Sequence, residues 1–125
     1  MLQQANKNRS GVTELVEAYR IYNELTEELV AKIYYDEARH RYSAELLVEG
    51  WHVPVMFMRL DGTFNRNPTS EAIENFLKSR VLPENRDGLK EILLARGICK
   101  YSWQELIKLN KGRTNRDKFR VEVVE

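Results

Sequence analysis

The sequence predicts an α+β fold, with a small antiparallel sheet and three to four helices in a single domain over residues 12–125. Three observations support this class. A chain of 125 residues is long enough to bury one hydrophobic core without metals or disulfides. Its 42% of hydrophobic and 31% of charged residues are typical of a folded, soluble protein. Stretches with helical spacing and stretches with strand-like alternation both occur along the chain.

The first half of the chain is predicted to contain one helix and then a sheet. Residues 1–11 are polar and are expected to form a flexible tail. From Val12 to about Asn23 the apolar residues follow helical spacing, which predicts an amphipathic helix. Residues 28–48 suit either a helix or two strands, and we favour a hairpin because a polar stretch separates two runs rich in strand-forming residues. Residues 53–58 predict a further strand that ends before the turn signal Asp61-Gly62.

Two helices are predicted in the middle of the chain. Thr69 or Ser70 can cap the first, which carries an apolar stripe and runs to about Ser79. Pro83 fits the first turn of the second helix, because its missing N–H would have no partner there. Gly97 fits the left-handed position at the end of that helix.

A third helix and a closing strand are predicted near the end of the sequence. The run Ser102-Trp103-Gln104-Glu105 matches the S-x-x-E capping box, and Asn110-Lys111-Gly112 fits the end of the same helix. Residues 119–123 alternate between apolar and charged side chains. This alternation predicts a strand that returns to the sheet.

Few residues have the chemistry of a catalytic or metal site. The single cysteine, Cys99, lies far in sequence from the two histidines, His40 and His52, so neither a disulfide, a metal cluster nor a catalytic triad is predicted. The chain begins without a signal sequence and contains no apolar run of membrane-spanning length. We therefore expect a cytoplasmic protein without enzymatic activity, cofactor, metal or membrane partner.

Basic residues are concentrated in the second half of the chain. The net charge is only +1, but residues 78–120 carry 12 basic and 5 acidic side chains. Residues 108–120, here called the basic segment, are the first candidate for binding a partner or phosphate groups, through Lys108, Lys111, Arg113, Arg116, Lys118 and Arg120. Lys111, Arg113 and Arg116 lie around Gly112 and are expected to face water, because buried unpaired charges are costly. A solvated helix face is the alternative explanation of the same charges.

Five further residues are secondary candidates for a binding surface: Arg80, Arg86, Tyr34, Tyr42 and Trp51. The two arginines flank Pro83 and have the geometry to grip a phosphate or carboxylate, but a helix that begins at Pro83 also accounts for the polar residues there. The aromatic residues suit stacking on bases or a hot spot on a protein partner, but the core of a sheet needs aromatics as well.

Residues 76–93, FLKSRVLPENRDGLKEIL, and the later segments GI, YSWQELIKLNKGR and RDKFRV resemble small proteins of Firmicutes and their mobile elements. The shared pattern is F-x-x-x-R-x-x-P-x-x-R, followed by a leucine-rich helix, a tyrosine, a G-R turn and D-x-F-x-V. These proteins resemble in turn the N-terminal subdomain of HipA-type toxin kinases, where a helix with a phenylalanine leads into a Leu-Leu-Pro-Glu turn and an arginine. In this sequence the matching residues are Phe76, Leu82, Pro83, Glu84 and Arg86.

The resemblance covers about residues 70–121 and implies an α+β lobe that contacts a kinase core or an antitoxin, or acts as a free-standing antitoxin. The kinase loops that bind ATP and metal are absent from this sequence. The sequence therefore predicts a non-catalytic, protein-binding regulator or inhibitor from a mobile element, directed at a kinase toxin or a defence nuclease. The alternative is a regulator that binds nucleic acid through the basic segment.

Overall fold

The computed structural model describes residues 15–49, 53–114 and 116–124. These residues form four strands and three α-helices, which confirms the α+β class. The strands are β1 (Leu15–Asn23), β2 (Glu28–Asp36), β3 (Arg41–Leu46) and β4 (Phe119–Val123), and the helices are α1 (Ser70–Lys78), α2 (Leu89–Ala95) and α3 (Trp103–Asn110). The predicted tail at residues 1–11 and the candidate Trp51 lie outside the described residues.

The four strands form one antiparallel sheet in the order β3-β2-β1-β4. The hairpin favoured for residues 28–48 is confirmed as β2 and β3, and the predicted closing strand is β4, which pairs with β1. Because side chains alternate across a strand and directly paired residues share a face, the register defines two faces of the sheet. We call the face that packs on the helices the core face and the opposite one the outer face.

The helix predicted for residues 12–23 is wrong, since the described part of that segment is β1. A β-bulge between Glu17 and Tyr19 explains the error. Val16 pairs with Tyr35, and Tyr19 pairs with Ile33, so the two β1 residues share the core face although they are three positions apart. A bulge adds one residue to a strand, and here it turns the strand period of two into the helical spacing of three.

The helices cover only the core face. Ile73 and Leu77 of α1 and Ile107 of α3 are fully buried in one cluster with Ile21 and Ile33 of the sheet. The third helix also packs on α2, through a smaller cluster formed by Leu89, Leu93 and Leu106. Within the described residues, no helix or strand packs over the outer face.

The helices α1 and α3 begin where the sequence predicts. The Thr69 hydroxyl accepts a hydrogen bond from the Ala72 N–H at 3.1 Å. The Ser102 hydroxyl does the same for the Glu105 N–H at 3.3 Å. Each side chain satisfies one backbone donor that the helix itself leaves unpaired, which fixes the helix start.

Two other predictions in the middle of the chain are wrong. Residues 53–58 do not form a strand, because Pro54 begins a single 3₁₀ turn over Val55–Phe57 and the segment packs under α1 as a buried loop. Pro83 does not begin α2, which starts at Leu89. Gly88, at φ 74°, is the residue before the helix, and its left-handed backbone separates the Pro83 turn from α2.

Each edge of the sheet is partly engaged by other parts of the chain. At the β3 edge, the Tyr42 N–H donates to the Ser70 hydroxyl at 2.8 Å, and Arg66 donates to the Leu46 carbonyl at 3.0 Å. At the β4 edge, the Val121 N–H donates to the Lys111 carbonyl at 2.6 Å. These bonds reduce the backbone groups free for edge-to-edge pairing with another chain. Among the described helices, none has the length and apolar character to cross a membrane.

Candidate partner-binding surfaces

Arg80 is buried at the end of α1, with only 4% of its surface exposed. Its guanidinium forms a two-bond ion pair with Asp117, at 2.6 and 2.9 Å. It also donates to the backbone carbonyls of Gly112 and Phe119, and its Cζ lies 4.9 Å from the centre of the Phe76 ring. Arg80 therefore fastens the basic segment to the helical layer, and its side chain is not available to a partner.

The ion pair with Arg80 makes the stability of the fold depend on pH. Partial burial raises the pKa of Asp117, but the hydrogen bonds from Arg80 and from the Phe119 N–H, together with nearby positive charge, bring the pKa below its ordinary value of 3.8. A carboxyl with a lowered pKa stabilises the fold above its unfolded-state pKa, and this stabilisation is lost as the pH falls through the folded-state pKa.

We expect Asp117→Asn to weaken this acid dependence. The amide keeps an acceptor for Arg80 but does not titrate, so the free energy of unfolding should fall less steeply below about pH 4 than in the wild type. Urea denaturation between pH 2 and pH 7 measures both curves. Parallel curves over the acidic range would show that the Asp117 carboxyl does not carry this dependence.

Two arginines of the basic segment are exposed, as expected, but are engaged within the chain. Arg113 forms an ion pair with Glu24, in the turn between β1 and β2, with a distance of 2.7 Å between Nε and the carboxylate oxygen. Arg116 donates a hydrogen bond to the Ser79 carbonyl at the end of α1. Both side chains therefore link the segment to neighbouring elements.

Arg120 lies on the outer face of the sheet rather than in a loop. It forms ion pairs with Glu27 at 2.9 Å and with Glu122 at 2.6 Å. Its Cζ lies 4.7 Å from the centre of the Tyr22 ring, its direct partner on β1. Only 12% of the Arg120 side chain is exposed, so its charge is compensated and its position is fixed by these contacts.

The three lysines of the basic segment are exposed at different places in the fold. Lys108 lies on α3, Lys111 is the left-handed residue that ends α3 at φ 57°, and Lys118 precedes β4. The six basic side chains thus extend from α3 to the outer face of β4. The three arginines bind other groups of the chain, which leaves the segment less free positive charge than its sequence indicates.

The secondary candidates Arg80 and Arg86 do not form a joint site. Arg80 is buried, as described above, whereas Arg86 is exposed in the loop before α2. The Arg86 N–H donates to the Pro83 carbonyl at 3.2 Å and its carbonyl accepts from the Leu89 N–H at 3.1 Å, which makes this loop a turn. The polar residues around Pro83 therefore form a turn between two helices. The prediction that they begin a helix is wrong.

The outer face combines tyrosines with charges of both signs. By the register, its residues are Leu15, Glu17, Arg20, Tyr22, Leu29, Lys32, Tyr34, Asp36, Arg41, Ser43, Glu45, Arg120 and Glu122. Arg20 forms an ion pair with Glu17 at 2.6 Å, and the Tyr34 hydroxyl donates to Glu45 at 3.0 Å. Four basic and four acidic side chains balance, so this face carries no net charge.

Tyr34 and Tyr42 lie on opposite faces of the sheet. Tyr34 belongs to the outer face, whereas Tyr42 pairs with Tyr35 on the core face, with 4.9 Å between the ring centres. The Tyr42 ring also lies 6.4 Å from that of Trp103, and burial raises the pKa of its hydroxyl. Tyr42 therefore belongs to the edge of the core, and the two tyrosines cannot form one binding surface.

The structure places Cys99 at the surface and His40 beside a tyrosine. No cluster of three or more histidine, cysteine, aspartate or glutamate side chains suited to a metal ion occurs in residues 15–49, 53–114 and 116–124. Cys99 is an exposed free thiol. His40 bonds through Nδ1 to the Tyr35 hydroxyl at 3.1 Å.

Arg20, Tyr22 and Lys32 were not predicted from the sequence as members of a surface. Their signal is present on β2, where Lys32 and Tyr34 alternate with the buried residue Ile33. On β1 the bulge hides the same signal, because Glu17 and Arg20 share the outer face at a spacing of three.

No family model, curated protein or solved structure matches this chain.

Proposed function

We propose that this chain is a non-catalytic protein-binding regulator that contacts its partner with the outer face of the sheet. The observation that carries this proposal is the group Tyr22, Tyr34, Arg20 and Arg120, which lies on a sheet face that no described element covers. Tyrosine and arginine are enriched among the residues that dominate binding energy at protein interfaces.

Several of these side chains are held in place before a partner arrives. Arg120 lies against Tyr22 between two carboxylates, Glu17 holds Arg20, and Glu45 holds the Tyr34 hydroxyl. A fixed side chain loses less rotamer entropy on binding than a free one. The partly occupied edges of the sheet favour docking on the face over addition of a strand from the partner.

The type of regulator follows from the resemblance described above. A free-standing lobe of this kind would act in the cytoplasm as an antitoxin or as a phage-encoded inhibitor, with a kinase toxin or a defence nuclease as its partner. The balanced charge of the outer face suits a partner surface that also carries both signs, because complementary pairs set orientation and exclude wrong partners.

Binding of nucleic acid through the basic segment has less support. Phosphate binding needs free basic groups, and Arg113, Arg116 and Arg120 already bind groups of this chain. In filter binding at low salt, we expect weak retention of duplex DNA or structured RNA. The affinity should decrease only slightly as salt rises, because few phosphate groups are contacted. Tight binding that falls by several powers of salt concentration would favour the nucleic-acid alternative instead.

We expect Tyr34→Thr to weaken partner binding at least tenfold, or by about 1.4 kcal/mol, because it removes a ring from the centre of the outer face. Threonine keeps strand propensity, so the melting temperature should change little. The partner is first captured from the native cell with the tagged chain. Its affinity for each purified variant is then measured by calorimetry.

Leu94→Ala is the matched control for this measurement. Leu94 lies on α2, is 60% exposed and lies away from the sheet, so its truncation should leave the affinity within about twofold. If Tyr34→Thr binds as tightly as the wild type while Leu94→Ala does not, the interface lies on the helical side and the proposal fails.

A further inference from the structure

A surface groove of about 470 Å³ lies between the turn that follows α1 and the start of α3. The turn contributes Pro83 and Glu84, and the start of α3 contributes Tyr101, Trp103 and Gln104. None of the residues that define the outer face lines this groove. It is therefore a separate surface, and binding there does not depend on the function proposed above.

The two aromatic walls of the groove are fixed by contacts within the chain. The Tyr101 hydroxyl donates to the Leu82 carbonyl at 2.8 Å, and its ring packs beside the cluster that joins α2 and α3. Trp103 packs against the main core, with its ring 6.4 Å from that of Tyr42. Both rings are half-buried, so each keeps part of its surface exposed.

Gln104 supplies a hydrogen-bond donor at the same place. The Ser102 hydroxyl accepts from the Glu105 N–H and donates its own hydrogen to Gln104 Oε1 at 3.1 Å. This bond uses the carbonyl end of the Gln104 amide and leaves its NH₂ end available to donate. The groove thus presents a donor beside two aromatic rings.

The charge that remains open in the groove is negative. Lys78 also lines it, but Lys78 forms an ion pair with Glu74 at 2.7 Å. Glu84 is exposed, and no ion pair to it occurs among the described residues. Glu84 lines the groove together with Tyr101. Burial raises the pKa of Tyr101, the nearby charge of Glu84 raises it further, and the charge of Lys78 lowers it.

We propose that the groove binds a proline-rich segment of a partner protein, in the polyproline II conformation, with a basic residue beside the prolines. Such segments dock on aromatic-lined grooves, and their preformed conformation lowers the entropy lost on binding. Proline has no N–H but keeps a carbonyl acceptor, which matches the donor of Gln104. A lysine or arginine next to the prolines matches Glu84.

The test is an NMR titration of the ¹⁵N-labelled full chain with three short peptides. The first has one arginine followed by eight prolines, the second has nine prolines, and the third has one arginine followed by glycine and serine. We expect the first to shift the Trp103 indole, the Tyr101 amide and the Gln104 side-chain amide. It should bind about fivefold more tightly than the second, the size of effect that one exposed charge pair produces.

Two charge reversals in one turn separate recognition from general attraction. Glu84→Lys should remove the preference for the arginine, whereas Asp87→Lys, an exposed residue of the same turn outside the groove, should retain it. The proposal is overturned if millimolar peptide shifts no groove resonance, if the glycine-serine peptide binds as tightly as the proline peptide, or if both reversals have the same effect. The synthetic peptides make this result independent of the partner of the outer face.

Discussion

Replacing Arg80 by alanine is expected to lower the free energy of unfolding by about 3 to 5 kcal/mol, because it leaves the Asp117 carboxylate and two backbone carbonyls without their main partner. The loss of the guanidinium also removes its contact with the Phe76 ring. Urea denaturation followed by far-UV circular dichroism measures the change.

Two further variants separate the Arg80 ion pair from general effects of arginine removal. Arg86→Ala removes an exposed side chain in a turn and should stay within about 0.5 kcal/mol of the wild type. The double variant Arg80→Met with Asp117→Leu should recover the part of the loss that comes from the unpaired carboxylate, while the Gly112 and Phe119 carbonyls still lack their donor. A single Arg80→Ala variant as stable as Arg86→Ala would show that the ion pair does not hold the basic segment.

Gly112→Ala is expected to destabilise the fold by about 2 to 4 kcal/mol, from backbone strain and steric overlap together. Gly112 has φ 60°, which side-chain-bearing residues rarely adopt. A Cβ at this position would lie 2.8 Å from Val121 Cβ, closer than two carbon atoms can pack. Thermal and urea denaturation both report the loss.

Gly97→Ala separates the two causes. Gly97 has φ 77°, but a Cβ there would meet no atom within 4 Å, so the variant carries the strain without the overlap. It should cost about 1 to 2 kcal/mol. The difference between the two losses of unfolding free energy then gives the cost of the steric overlap between the end of α3 and β4. Equal losses would contradict the steric part of the explanation.

The sequence predicted the elements whose signals are local. The hairpin over residues 28–48 has a polar turn between two runs of strand formers, and α1 and α3 each begin with a capping hydroxyl. The class of fold follows from these elements. Each of them is specified by side chains within a few positions of one another, so a single sequence is enough to find them.

The wrong predictions have causes that act beyond the local pattern. The bulge in β1 is stabilised by its pairing with β2, and nothing in residues 15–23 alone distinguishes the resulting spacing from that of a helix. At residues 53–58 a continuous apolar run fits a buried loop as well as a strand, and packing under α1 decides between them.

The role of Arg80 could not be predicted from the sequence either. Its partner Asp117 lies 37 positions away, and no periodic pattern joins the two. The same contacts bring together Phe76, Gly112, Asp117 and Phe119 around the Arg80 guanidinium. In this chain, these residues of the sequence pattern therefore hold this part of the fold together, and they say less about which surface meets a partner.

The pairing of β1 with β4 has a consequence for the order of events during synthesis. β1 is made before the other described strands, and its partner β4 is made after all three helices. Until residues 119–123 have emerged from the ribosome, one edge of β1 stays open and Arg80 lacks both Asp117 and the Phe119 carbonyl. A nascent chain that ends before these residues leaves one edge of β1 unpaired and Arg80 without its buried partners. An unpaired strand edge and incomplete packing both promote aggregation. The sheet is therefore complete only after β4 has been synthesised.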